Sequence, residues 1–353
     1  MTDSPETQDI PGRVSIVITN RDYGRFLRAA VDSALAQDDV EVIVVDDGST
    51  DDSLATLADY GRMITVVELD GQGQAAAMNA GFAVTTGDLV VFLDADDVLA
   101  PGAVPRARPC FSDLAVARVH APLRRVDVHG APIGGTVPPV ISVLPHGDLR
   151  RAVVHHPDDL AWQPTSGNVY RRAALAGIFP LPEAEYRISA DHLLNALTAL
   201  VGRVGRVLEI GGDYRIHGDN ADARSAFDLE RVQGIVARSQ VTHRHIAALA
   251  ASLGLSDDAA TGVSVSFAGN RLVSLRLGRA THPIAGDRRR TAWRDGIRAA
   301  RGRSDLGVAR RVAAAGFITA LALAPRASVA PLAHRFLTGS TDGGPPLSTS
   351  GTR

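Results

Sequence analysis

Three aspartates, Asp94, Asp96 and Asp97, stand at the end of an uninterrupted apolar run, Leu89-Val90-Val91-Phe92-Leu93. In extended chain Asp94 and Asp96 point the same way, across the small side chain of Ala95. Two carboxylates so placed can share one divalent cation through oxygen ligands, and Mg²⁺ or Mn²⁺ held this way bridges substrate phosphates. A D-x-D pattern alone has a plainer reading, an acidic loop capping the next helix. Here it keeps company with Thr19-Asn20-Arg21-Asp22-Tyr23, Asp46-Asp47-Gly48-Ser49 and Tyr214-Arg215-Ile216-His217, each closing a β-like segment. Polar residues at the carboxyl ends of neighbouring parallel strands converge on one crevice, where open α/β sheets bind their ligands.

The positioning elements follow from hydrophobic period. Apolar runs at Val14–Thr19 and Leu89–Leu93 read as buried strands, and Val40–Val45 and Met63–Leu69 as the second and third strands between them. Between them, Phe26–Ala36, Asp52–Tyr60 and Gln74–Thr85 read as helices, with Ser49 and Asp52 spaced like a capping box. Alternation of this kind signals βαβ units and a parallel sheet. After Pro101 the rhythm weakens into short β-like runs over 115–145. Helix signal returns at Arg171–Ala176 and Ser189–Val201, and Val207–Ile210 and Tyr214–Ile216 read as the last strands. The implied organisation is a tail at 1–12, an α/β domain at 13–220, a helical region at 221–338 and a disordered tail at 339–353.

Composition narrows the function. All 37 basic residues are Arg, and they balance 39 acids to a net charge of −2, which gives no reason to expect a nucleic-acid partner. The single Cys110 precludes an internal disulfide and fits a reducing compartment. The acidic, polar start MTDSPETQDIPG is unlike a secretory signal, and no apolar run reaches the roughly 20 residues of a spanning helix.

The ordered set VSIVITNRDYGRFLRAAVDSALAQ, VEVIVVDDGSTDDS, GQGQAAAMNAGFAVTTGDLVVFLDADDVLAPGA, PTSGNVYRRAAL and ISADHLLNAL resembles the family 2 glycosyltransferases, inverting enzymes of the GT-A fold. The likeness covers roughly residues 13–220, with nothing comparable in 221–353. It implies an α/β fold: a Rossmann-like, mostly parallel GT-A sheet flanked by helices, ahead of the all-helical C-terminal region. It implies that Asp47 hydrogen-bonds the nucleotide base, and that Thr19, Asn20 and Asp22 line the same nucleoside. Asp94, with Ala95 beside it, would face the ribose, and Asp96 would ligate Mn²⁺ or Mg²⁺ on the diphosphate, with His217 nearby. Gln74 and Asn79 would flank the donor, Trp162 would offer a flat face to a sugar ring, and Arg215 could pair with a phosphate. Asp191 falls where such enzymes place the catalytic base, although Ala190 stands where many relatives have Glu. On the residues alone, Asp191 is equally a helix N-terminal acid favoured by the macrodipole.

The partners implied are a UDP-, GDP- or dTDP-linked sugar and a glycan or lipid-linked acceptor hydroxyl, in cell-envelope or surface polysaccharide synthesis. The location implied is the cytoplasm or the inner face of the cell membrane. Two other readings compete. Gly71-Gln72-Gly73-Gln74-Ala75-Ala76 fits a dinucleotide fingerprint, as in a NAD-dependent oxidoreductase, but on the third strand where the first is expected. A sugar-binding pseudoenzyme is the other, although every acid needed for turnover is present. His155-His156 reads as a surface pair. In the helical region, Arg288-Arg289-Arg290 opens an Arg-rich stretch, and Val312–Ala324 reads as a buried core helix. Contact with anionic lipid or a second copy of the chain is the alternative there.

Overall fold

The computed structural model describes residues 12–139, 144–217, 227–255 and 263–337. The expected terminal tails and the boundary near residue 220 lie outside the described residues, Gly12 apart. The chain forms two compact units, Met1–Asp148 with Trp162–His217, and Leu149–Ala161 with Gly218–Arg353.

The first unit opens as the periodicity predicts. Strand β1 (Val14–Asn20), helix α1 (Gly24–Leu35), β2 (Val40–Asp46), α2 (Ser53–Ala58), β3 (Thr65–Glu68), α3 (Gln74–Ala83) and β4 (Leu89–Asp94) alternate in order. Then come β5 (Val98–Leu99), α4 (Ala103–Ala107), β6 (Val116–His120), β7 (Leu123–Val126) and β8 (Pro132–Val137). Helix α5 (Arg150–His155) belongs to the second unit. The chain returns with β9 (Asn168–Arg171), α6 (Arg172–Leu175), α7 (Ala190–Val201), β10 (Arg203–Arg206) and β11 (Gly212–Arg215). The main sheet has the order β10-β6-β9-β4-β1-β2-β3, and a smaller one the order β5-β11-β7-β8.

Strands β1 to β4 pair in parallel, while β9 enters antiparallel between β4 and β6. Strand β9 was not legible in the pattern, because four residues, Asn-Val-Tyr-Arg, carry no period. The expected strand at Val207–Ile210 is displaced to Arg203–Arg206, and Leu208 is exposed. Arg-Val-Gly-Arg gives no apolar signal, yet its backbone bonds parallel to β6.

Both faces of β1 and β4 are buried. On one face, Ile16, Ile18, Val91 and Leu93 join Leu27, Ala30, Val31 and Ala34 of α1 in a single cluster. On the other, α3 presents small residues, Ala75, Ala76, Ala77 and Gly81. A methyl on Gly81 would meet Val17 at 2.3 Å, so a glycine lets the helix lie against the sheet. Each fully buried Val, Ile or Leu side chain here contributes about 1.5–3 kcal/mol.

The second unit adds α8 (Leu229–Ser252), α9 (Val265–Leu277), α10 (Arg289–Gly302), α11 (Val308–Leu323) and α12 (Arg326–Leu337). Its core gathers Val232, Leu272, Ala300, Ile318 and Val329. The hydrophilic stretch at 155–159 is built into this unit. Asp159 accepts the first N–H groups of α9, from Val265 at 3.0 Å and Ser266 at 2.9 Å, and pairs with Arg303 at 2.9 Å. Asp158 bonds Ser239, His243 and Ser264. His155 and His156 are half-buried, which corrects the surface reading, and enclosure together with Arg303 holds the His156 imidazole below its usual pKa. The core-helix reading of Val312–Ala324 also needs correction. Helix α11 buries Ala314, Ile318, Leu321 and Ala322 but leaves Val308, Val312 and Leu323 open. Among the described residues no helix is long and apolar enough to cross a membrane.

Candidate active site

Register brings the strand tips together. Thr19 lies opposite both Val45 and Asp94, and Asn20 opposite Asp46. The Thr19 hydroxyl sits 3.5 Å from an Asp94 oxygen, and the Ala95 N–H donates to the Thr19 carbonyl at 3.2 Å. All the residues of this region belong to the first unit.

The turn after β2 is internally satisfied. Buried Asp46 accepts from the Asn20 amide at 2.7 Å, the Ser49 N–H at 2.9 Å and the Ser49 hydroxyl at 2.7 Å. Ser49 therefore serves this turn, and the expected capping box does not form: Asp52 precedes α2 without a side-chain cap. Asp22, with a left-handed φ of 58°, accepts from the Thr50 N–H at 2.6 Å and clamps the β1 loop to the same turn. Asp47 accepts from the N–H groups of Gln72 and Gly73 at 2.6 and 2.7 Å, with Arg21 at 3.7 Å. Those amides are the ones a dinucleotide fingerprint would aim at a pyrophosphate, so the oxidoreductase reading loses its phosphate cradle. Two glycines permit the approach. Gly48 (φ +75°) has no room for a Cβ against Gly71, nor Gly73 (φ +101°) against Arg187.

The turn after β4 is the opposite case. Asp94 accepts from Thr165 at 3.1 Å and faces Gln74 at 3.5 Å. Enclosure, then the charges of Asp96 and Asp191, push its pKa up to about 7. Asp97 is buried, accepts the Arg215 N–H at 3.0 Å, and has a second oxygen within hydrogen-bond distance of no donor among the described residues. Burial, Asp96 and Asp94 hold it well above the usual carboxylate range. Asp96 meets the His217 Nε2 at 2.9 Å, and His217 lies against Tyr23 and Phe26. Four carboxylates thus share one field. Arg215, the nearby cation, is turned away: its guanidinium donates to the carbonyls of Asp96 (2.9 Å) and Val128 (3.1 Å) and lies over Phe26.

Asp191 occupies the first turn of α7, after Ser189 in the left-handed region (φ 61°). Gln74 joins the two halves of the site, because its side-chain oxygen accepts the Ala190 N–H at 2.9 Å while its amide nitrogen faces Asp94. Backbone bonds from Gln74 to Arg187 and from Ala75 to Tyr186 tie the start of α3 to the same segment. Asn79 lies apart. It donates to the Leu181 carbonyl and Glu183 and accepts the Leu181 N–H, so its amide fixes that loop. Trp162 lies against the fully buried Arg118, whose guanidinium is 5.2 Å from the ring centre. Thr165 and Ser166, absent from the residues singled out in the sequence, support Asp94 through its carboxylate and its N–H, the latter at 3.2 Å. The hydroxyl pair after Pro164 was the available signal.

A divalent cation fits this donor set in one manner only. Among the described residues no three His, Cys, Asp or Glu side chains form a closed cage. Asp96 and His217 nevertheless converge within an excess of negative charge that raises Asp94 and Asp97. Mg²⁺-type sites often use one or two protein ligands and complete their shell with phosphate and water.

The mostly parallel sheet, with acids gathered beyond its strand ends, is of the kind found in GT-A glycosyltransferases, and solved members of that class share it. Staphylococcus aureus TarS 1–349, solved in complex with UDP-GlcNAc, shares the fold at a TM-score of 0.55 and 16% identity, over 94% of this chain and 93% of that one. The mannosyltransferase PcManGT of Pyrobaculum calidifontis, solved with GDP-Man and Mn²⁺, superposes at 0.50 and 18% identity, over 96% and 92%. In sequence, a profile of glycosyl transferase family 2 matches residues 15–119. An uncharacterized glycosyltransferase of Nostoc sp. is 35% identical over 241 residues, 65% of this chain and 74% of the relative. The succinoglycan biosynthesis protein ExoU of Rhizobium meliloti is 42% identical over 101 residues, 27% of this chain and 30% of that protein. The chain belongs to glycosyltransferase family 2.

Proposed function

We propose that this glycosyltransferase moves one sugar from a nucleoside-diphosphate donor to an acceptor hydroxyl with inversion at the anomeric carbon. The observation that carries the proposal is the Gln74 side chain linking Asp94 to the first turn of α7, which brings Asp191 into the field of the Asp94 and Asp96 carboxylates. Asp191 takes the proton of the acceptor hydroxyl as its oxygen attacks the anomeric carbon, a contribution of about 10²–10⁴-fold. The bond from that carbon to the diphosphate oxygen breaks on the opposite side. Asp96 and His217 would hold Mn²⁺ or Mg²⁺, which supplies positive charge to the departing diphosphate. Gln74 keeps Asp94 and the start of α7 in fixed relation. Thr19, Asn20, Asp22 and Asp47 form the nucleoside end, where Asp22, Asp46 and Asp47 hold the loops that shape it.

The solved neighbours' UDP-GlcNAc and GDP-Man support a nucleotide-sugar donor, and the Mn²⁺ of PcManGT supports a metal. The succinoglycan biosynthesis named for one relative supports a glycan acceptor; the setting proposed is envelope or surface glycan synthesis at the inner face of the cell membrane. The domain reading proposed is a transferase domain within 13–220, of which Leu149–Ala161 groups with the helical region that follows. Thermal unfolding tests the whole. UDP-, GDP- and dTDP-sugars with Mn²⁺ are each compared with NADH, and one nucleotide sugar should raise the midpoint by several degrees in a metal-dependent way. Stabilisation by NADH alone refutes it.

A further inference from the structure

The second unit carries a surface that sugar transfer leaves unused. On α11, Val308, Val312, Gly316, Thr319 and Leu323 fall within an arc of roughly 80° at 3.6 residues per turn. Val308, Val312 and Leu323 are 69%, 66% and 73% exposed. The buried side of the same helix, Ala314, Ile318, Leu321 and Ala322, points away from that arc into the helical core. Helix α10 borders the stripe: the Trp293 indole N–H donates to the Thr319 hydroxyl at 3.2 Å, and the ring remains 37% exposed.

Beyond Trp293 the surface is cationic. Arg289, Arg290, Arg294, Arg298 and Arg301 are all exposed, and none has an ion-pair partner among the described residues. Residues 288–311 hold nine arginines and two aspartates, in a chain whose net charge is −2. Both aspartates are already neutralised, Asp295 by Arg271 at 2.8 Å and Asp305 by Arg303 at 2.6 Å. The positive charge of α10 is therefore unbalanced from within.

We propose that this face of α10 and α11 docks on the surface of an anionic lipid bilayer, lying on it and not crossing it. Exposed aliphatic side chains beside a tryptophan and a row of arginines suit the boundary between acyl chains and anionic headgroups. A second copy of the chain is the less fitting occupant, because a symmetric contact through this patch would set arginines against arginines. The inference stands apart from the transferase reading, since lipid binding is measured without donor or acceptor.

Vesicle flotation of the full chain tests it, with phosphatidylcholine alone against phosphatidylcholine mixed with phosphatidylglycerol. Binding is expected to the anionic vesicles only, and to weaken as salt is raised. The combined variant Arg290→Glu, Arg294→Glu, Arg301→Glu should bind roughly a hundredfold more weakly. Val312→Asp with Leu323→Asp should lose binding while keeping the thermal midpoint. Should that pair fail to fold, the arginine variant decides alone. Equal binding to neutral vesicles, no binding to either, or undiminished binding by the folded arginine variant overturns the proposal. So does a concentration-dependent dimer in sedimentation that Val312→Asp dissolves, which would assign the face to a second copy.

Discussion

Two acidic turns close neighbouring parts of the same sheet, and their carboxylates meet opposite surroundings. After β2, Asp46 and Asp47 spend their oxygens on hydrogen bonds from Asn20, Ser49, Gln72 and Gly73. After β4, Asp94, Asp96 and Asp97 crowd one another, and the pKa values of Asp94 and Asp97 are raised. A carboxylate that receives backbone N–H groups fixes a loop. Carboxylates that repel each other store an unfavourable charge that a cation or a proton relieves. Identical residue type therefore takes on different surroundings, hydrogen-bonded in one turn and mutually repelling in the other, according to what each oxygen touches.

The sharpest way to break that contrast is to change one acid in the crowded turn. Asp96→Ala should reduce sugar transfer to the level of the blank while leaving the thermal midpoint within a few degrees. Asp191→Asn should lower kcat by about 10²–10⁴-fold with donor affinity retained. Donor titration beside a steady-state assay reads both. Normal turnover by Asp191→Asn removes it as the base and leaves only a helix N-terminal acid.

The matching change in the other turn should act on stability. Asp46→Ala strips a buried acceptor from the Asn20 amide and from the Ser49 N–H and hydroxyl. Loss of such bonds costs about 1–3 kcal/mol where the donors stay buried. Urea unfolding should show a lower midpoint with an unchanged slope. If Asp46→Ala left stability intact, the division between the two turns would fail.

This division was only half legible in the sequence. Strands β1, β2 and β4 and helices α1 and α3 announced themselves because each buries a periodic or continuous apolar face, whereas β3 leaves Thr65, Val66 and Glu68 exposed. Asp47 and Asp94 look alike in sequence, each following a hydrophobic strand, because nothing local records that Gln72 and Gly73 will point at the first. Gln74 was singled out as a donor contact, yet its amide bridges Asp94 and Ala190, a link across 116 residues. Long-range bonds of this kind leave no period. Strand β9 escaped for a related reason: its place in the sheet comes from pairing with β4 and β6, not from its own four residues.

The smallest effect is a dependence on pH, and its sign discriminates. Asp94 titrates near 7 in the folded chain against an ordinary value of 3.8, so the native state holds a proton that the unfolded chain has released. Its contribution is fully present below about pH 4 and is lost as pH rises through 7. Buried His120 and half-buried His156 work the other way, since enclosure lowers their pKa values and their neutral forms favour folding as pH rises. The total stability curve mixes these slopes, and the difference between wild type and Asp94→Asn isolates one of them. With metal chelated, the variant should gain on wild type between pH 5 and pH 8, by roughly 2–3 kcal/mol. Mn²⁺ should shrink that gain by stabilising wild type most where Asp94 is ionised. A gain that does not grow with pH would mean that the Asp94 carboxylate is already balanced in the free protein, and the crowded turn would then resemble the quiet one.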